Sequence, residues 1–106
     1  MDVLSKDDVI DDIINSKPVV IFQFGSKLCN PCIALKQKLQ LVFKDNERVN
    51  HVYIDIEENK ETAATYDVFT VPTIIVFVNS KLTIREAGYF SLEDIILRIE
   101  RYLSLI

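Results

Sequence analysis

The run Val19-Val20-Ile21-Phe22-Gln23-Phe24, apolar but for Gln23, stops at Gly25, and a helical pattern begins at Cys29-Asn30-Pro31-Cys32, which holds the chain's only two cysteines. A strand that is apolar on both faces belongs in the interior of a sheet covered on both sides, the arrangement typical of parallel strands. The helix that follows must therefore return over one of those faces. Two residues between the cysteines put one thiol at the helix start and the other a turn inside it. The two sulfurs are then close enough to bond, and the pair can act as a dithiol switch.

The rest of the chain fits this junction. Ser5 and Asp8 form a variant of the capping box, and Val9, Ile10, Ile13 and Ile14 recur at helical spacing, which predicts a helix over residues 6–15. Lys17-Pro18 ends it, because proline cannot continue the hydrogen-bond ladder and pushes its predecessor out of the helical region. After the cysteines, Leu35, Leu39, Val42 and Phe43 make an apolar stripe opposite Lys36, Gln37, Lys38, Gln40 and Lys44, so that helix is expected to reach Asp45. Asp45-Asn46-Glu47 reads as a turn. Residues 49–56 alternate and are rich in β-branched side chains, a second inner strand, and residues 58–66 read as a short helix around Ala63 and Ala64. This α, β, α, β, α order requires parallel strands with crossover helices. Ile74-Ile75-Val76-Phe77-Val78 and Leu82-Thr83-Ile84, separated by Asn79-Ser80, form an antiparallel hairpin. Gly88 ends it, and Ser91 with Asp94 caps a final helix that buries Leu92, Ile95, Ile96, Ile99 and Leu103.

Composition bounds the function. A chain of 106 residues corresponds to one domain, residues 1–106, with a single site. No apolar run approaches the roughly 18 residues of a membrane span, and residues 1–17 mix acids with apolar side chains, unlike a signal peptide. The expected location is the cytoplasm, with no membrane partner. Twelve basic against sixteen acidic residues, a formal charge of −4, leave no basic cluster for nucleic acid. In a reducing compartment two cysteines point to catalysis or redox chemistry rather than to a structural staple.

These features together resemble the thioredoxin family over nearly the whole chain. The resemblance rests on Cys29-Asn30-Pro31-Cys32 at a strand-to-helix junction, on Thr70-Val71-Pro72-Thr73, which matches the family's cis-proline loop, and on Gly88 sixteen residues after that proline. Glutaredoxins share a Thr-Val-Pro loop. They carry their cysteines closer to the N-terminus and follow the loop with a glycine pair, where this chain has Asn79-Ser80. The resemblance implies an α/β thioredoxin fold, a mixed sheet of four or five strands with helices on both faces, its first strand within residues 1–4. It implies a thiol:disulfide oxidoreductase of redox-active cysteines and no bound cofactor, acting on disulfide-containing proteins and rereduced by a separate thioredoxin reductase, as a monomer.

On that resemblance Cys29 is the nucleophile and Cys32 the resolving thiol. A thiolate at a helix start faces unpaired N–H groups and the positive end of the helix dipole, which favour the anion. Pro31 suits the first helical turn, and Asn30 is an amide donor for the thiolate. Pro72 in the cis form would leave Val71 free to pair with an extended substrate, while Leu28, Val71 and Gly88 would form an apolar rim for that substrate. The chain departs from the family where a buried aspartate and lysine usually stand: Gln23 and Tyr53 occupy those positions. Gln23 takes no proton, so Cys32 must lose its own to water or to the leaving thiolate. Leu28 and Asn30 replace the usual tryptophan and glycine, and Gln37 replaces a helix-kinking proline. His51, the one histidine, reads as a surface or capping residue rather than a base. A tetrahedral zinc would need two ligands more than the cysteines, and one histidine cannot supply them. Two other functions are open: an oxidase or isomerase, and a binding module with inert cysteines.

Overall fold

The computed structural model describes residues 2–106. Its elements run β1 (Asp2–Val3), α1 (Ile10–Ile14), β2 (Val19–Gly25), α2 (Asn30–Phe43), β3 (Val49–Asp55), α3 (Lys60–Thr65), β4 (Thr73–Val78), β5 (Lys81–Ala87) and α4 (Leu92–Leu105). Among the described residues the five strands form one mixed sheet in the order β1-β3-β2-β4-β5, with β1, β3 and β2 parallel and β4 and β5 antiparallel. The expected first strand is present as a short edge strand; Met1 lies outside the described residues. β2 is central and buried along its whole length, Gln23 included, as a strand between two covered faces must be.

Alternate residues of β2 serve two separate cores. Val19 and Ile21 pack with Leu35, Leu39 and Phe43 of α2 and with Ile95, Ile99 and Leu103 of α4. Val20, Phe22 and Phe24 pack with Ile14 of α1 and Ala63 of α3 on the other face. There the rings of Phe22, Phe24, Tyr66 and Phe77 meet mostly edge to face at 5.1–6.3 Å, a geometry that adds to simple area burial.

Several expected boundaries shift. The first helix begins only at Ile10, because Ser5 and Asp8 spend their bond on a turn: the Ser5 N–H donates to Asp8 Oδ2 at 2.8 Å, and Val9, at the N-cap position, offers no side-chain cap. Val9 is accordingly exposed. Val42 is also exposed, since α2 turns only Cys32, Leu35, Leu39 and Phe43 inward. The helix runs through Gln37 without a break, as the absence of proline there allows. The hairpin turn is two residues, Asn79 and Ser80, both at positive φ (50° and 69°), the twist that a tight hairpin demands. Ser91 caps α4 as expected, its Oγ accepting the Asp94 N–H at 3.2 Å.

Candidate active site

Strand register brings the site together before any side chain is considered. Gly25 at the end of β2 lies level with Asp55 at the end of β3, Phe24 with Thr73 at the start of β4, and Thr73 with Ala87 at the end of β5. The loops after β2, before β4 and after β5 therefore open at one edge of the sheet. They carry the cysteines, the proline and Gly88.

Cys29 is the N-cap of α2, and its Sγ accepts the backbone N–H of Cys32 at 3.2 Å. That N–H is one of the donors a helix start leaves without an internal partner, so the sulfur takes the place usually held by a serine or aspartate oxygen. A thiolate there would be held by a charge-assisted hydrogen bond and by the helix dipole. Cys29 and Cys32 are joined as a disulfide, with Cα atoms 5.2 Å apart. Cys29 is half-buried, Cys32 fully buried, and Asn30 and Pro31 are exposed in the first turn. The asymmetry means that an incoming molecule meets the outer sulfur first.

The Val71–Pro72 peptide bond is cis. Gly88, at φ +75°, donates its N–H to the Pro72 carbonyl at 2.9 Å, which ties the loop after β5 to the proline loop. A side chain at that φ would be strained, although there is open space for one. Val71 and Pro72 are half-buried, and Leu28 is 92% exposed beside Cys29. Two further large side chains are open to solvent in the neighbouring loops: Phe69 is 79% exposed in the proline loop and Tyr89 fully exposed after Gly88. Neither belongs to a periodic pattern. Apolar side chains stranded between two turn signals were the available clue.

Behind the disulfide lies the main surprise. Gln23 is completely buried; its Nε2 donates to the Cys32 carbonyl oxygen at 2.8 Å, and its Oε1 lies 3.0 Å from His51 Nε2. His51 is not a surface or capping residue, since β3 carries it into the core under α2 at 5% exposure. Burial, with a smaller push from the charge of Lys36, lowers its pKa to about 4, so the ring is neutral at physiological pH. Tyr53 fills the neighbouring position and donates its hydroxyl to the Ser26 carbonyl at 3.2 Å in the cysteine loop. The Lys36 ammonium sits 4.8 Å from the centre of its ring, a cation–π contact. Burial and Asp55 push the Tyr53 phenol up, keeping it a proton donor.

The comparisons agree with this geometry. The family described as Thioredoxin matches residues 1–101. Thioredoxin of Staphylococcus saprophyticus is 31% identical over 98 residues, covering 92% of this chain and 93% of that one. The Echinococcus granulosus thioredoxin is 35% identical over 72 residues, 68% of this chain and 67% of that one. Among solved structures, thioredoxin 1 of Thermosipho africanus superposes with a TM-score of 0.74 at 36% identity, over 81% of this chain and 96% of its own. No helix among the described residues is long and apolar enough to cross a membrane. With a family match along nearly the whole length, the same fold and a bonded cysteine pair at the head of α2, the chain belongs to the thioredoxin family of thiol:disulfide oxidoreductases.

Proposed function

We propose that this chain reduces disulfides in other proteins, with Cys29 attacking and Cys32 resolving. The observation that carries the reading is the N-cap position of Cys29: its sulfur is the accessible one, and it alone takes the helix's free N–H. In the reduced protein, the Cys29 thiolate attacks one sulfur of a target disulfide, and the other target sulfur leaves as a thiolate that takes up a proton. Cys32 then loses its proton and attacks the Cys29 sulfur of the mixed disulfide. The second target thiolate departs and the Cys29–Cys32 bond forms. Two electrons pass from the dithiol to the target.

Leu28, Phe69, Val71 and Tyr89 offer an apolar rim, and the Val71 backbone beside cis-Pro72 offers an edge along which an extended target segment can pair. The oxidised chain would be rereduced by a thioredoxin reductase drawing on NADPH. It would act as a cytoplasmic monomer in electron transport and redox homeostasis. The test uses single cysteine variants and a disulfide-bonded protein substrate. Cys32→Ser should accumulate a mixed disulfide through Cys29, visible by mass, and Cys29→Ser should form none; a mixed disulfide on Cys32 in Cys29→Ser at the wild-type rate would reverse the assignment. A reduction potential near about −270 mV, typical of thioredoxin, supports the reductant role, whereas one near about −120 mV would make it an oxidase. Failure of the pair to exchange at all would leave a binding module.

A further inference from the structure

We propose that His51, acting through Gln23, is a positioning residue for Cys32: the two form a buried relay of N–H groups that ends on the Cys32 carbonyl and holds the inner cysteine while the outer one is bonded to its target. The proposal rests on the exchange reading above.

Hydrogen-bond polarity fixes the direction of the relay. Gln23 Nε2 can only donate, and it donates to the Cys32 oxygen. Its Oε1 can only accept, so the His51 Nε2 that faces it must carry the proton. Because the ring is neutral, Nδ1 then has a bare lone pair. Nδ1 is indeed buried without a hydrogen-bond partner. An unsatisfied buried acceptor is costly, and an aliphatic side chain at that position would avoid the cost. The histidine is therefore poorly explained as filling. What it supplies that a leucine cannot is an N–H aimed at Gln23.

Cys32 is consequently held at both ends. Its N–H is bound by the Cys29 sulfur at 3.2 Å and its carbonyl by Gln23 at 2.8 Å. When Cys29 is linked to a target, its sulfur turns outward and the first hold weakens. The second does not depend on Cys29 at all. It keeps the first turn of α2 seated on β2, so that the Cys32 thiolate stays within reach of the Cys29 sulfur; this is the effective concentration on which an intramolecular displacement depends. The His51 N–H also polarises the Gln23 amide, because hydrogen bonds in a chain strengthen one another in a low-dielectric interior. Both dipoles direct their positive ends towards the peptide of Cys32. The chain thus keeps a neutral, permanently oriented pair where a proton-accepting residue would otherwise stand.

The measurement is single-turnover oxidation of the reduced protein by a symmetrical aromatic disulfide whose thiolate is coloured. The first equivalent of thiolate reports attack by Cys29, the second reports resolution by Cys32. For His51→Leu we expect attack within about twofold of wild type and resolution slowed about threefold to tenfold, the range one neutral hydrogen bond supports. His51→Gln, which restores an N–H donor, should resolve at close to the wild-type rate. Gln23→Met keeps the shape and removes the relay, so it should reproduce the His51→Leu pattern and decides the matter if His51→Leu does not fold. Resolution at the wild-type rate in the relay-breaking variants, equal slowing of both steps, or a His51→Gln protein as slow as His51→Leu would each overturn the proposal. Wild-type protein that releases no coloured thiolate would overturn the exchange reading along with it.

Discussion

The two faces of β2 are made from alternate residues of one short strand, yet they are built differently. The face towards α1 and α3 presents Val20, Phe22 and Phe24, and its core is rich in aromatic rings, with Thr73 as a buried polar neighbour of Phe24. The face towards α2 and α4 presents Val19 and Ile21 and then, nearest the cysteines, Gln23. β3 repeats the contrast, with Val52 and Ile54 on the aromatic side and His51 and Tyr53 under α2. Buried polar groups cost stability unless they are paired; Gln23, His51 and Tyr53 lie on the face whose helix carries the reacting sulfurs, whereas Thr73, level with Phe24 on the other face, is satisfied locally by the Thr70 carbonyl at 2.7 Å. One face supplies packing and the other trades some packing for control of Cys32.

The largest test of that division is Phe22→Ala. Phe22 is fully buried and meets three rings, at 5.1 Å to Phe77, 6.0 Å to Tyr66 and 6.3 Å to Phe24. Truncation should lower the unfolding free energy by about 3–5 kcal/mol, read from the urea midpoint, while the exchange rate of the folded fraction stays at its wild-type value. A parallel fall in exchange would show that the two faces are coupled through the sheet. Should the alanine variant unfold outright, Phe22→Leu gives the same comparison at smaller cost.

On the polar face the corresponding experiment is a pH series. Burial lowers the His51 pKa from 6.5 to about 4, so between those values the unfolded chain binds a proton that the folded chain does not. Stability then rises with pH across that window. Its contribution is complete above pH 6.5, declines as pH falls from 6.5 towards 4 and is gone below the folded value. The total is about 3 kcal/mol, and it should be missing from the pH profile of His51→Gln, which has no titrating ring. If wild type and variant lose stability in parallel over the window, the ring is not the group that titrates.

Much of this was legible in the sequence, and the gaps have physical causes. The apolar run 19–24, the cysteine spacing and the Thr-Val-Pro loop fix the central strand, the head of α2 and the site's position on the sheet, because each is a local signal with one structural outcome. The start of α1 is not legible, because Ser5 and Asp8 satisfy a turn as well as a cap, and only tertiary packing chooses between them. The burial of His51 is hidden for a different reason. A polar residue in an alternating strand gives no sign of which face it occupies until the register to Ile21 and the neighbour Gln23 are known. The relay is a pairing between residues 28 positions apart, and no local pattern encodes it. Phe69 and Tyr89 carry no local signal, because an exposed apolar side chain in a turn acquires meaning only once the fold shows which loops it borders.

The two glycines, Gly25 and Gly88, differ more finely: each position excludes a side chain, but for opposite reasons. Gly88 has a positive φ and open space around it, so a side chain there would be resisted by the backbone. Gly25 has no such φ; a Cβ would instead fall against the Tyr53 hydroxyl, 2.7 Å from the ring carbon that bears it and 3.0 Å from the Cys32 Cβ. The absence of a side chain is what lets Tyr53 reach the cysteine loop. Gly25→Ala should therefore cost about 1–3 kcal/mol through overpacking, and Tyr53→Phe about 1 kcal/mol through the lost bond to Ser26. Because the same hydroxyl is involved in both, the double variant should be more stable than the sum of the two losses predicts, by roughly 0.5 kcal/mol or more in a double-mutant cycle. Additive losses would mean that the crowding at Gly25 comes from the ring carbon and Cys32, and that the hydroxyl yields without cost.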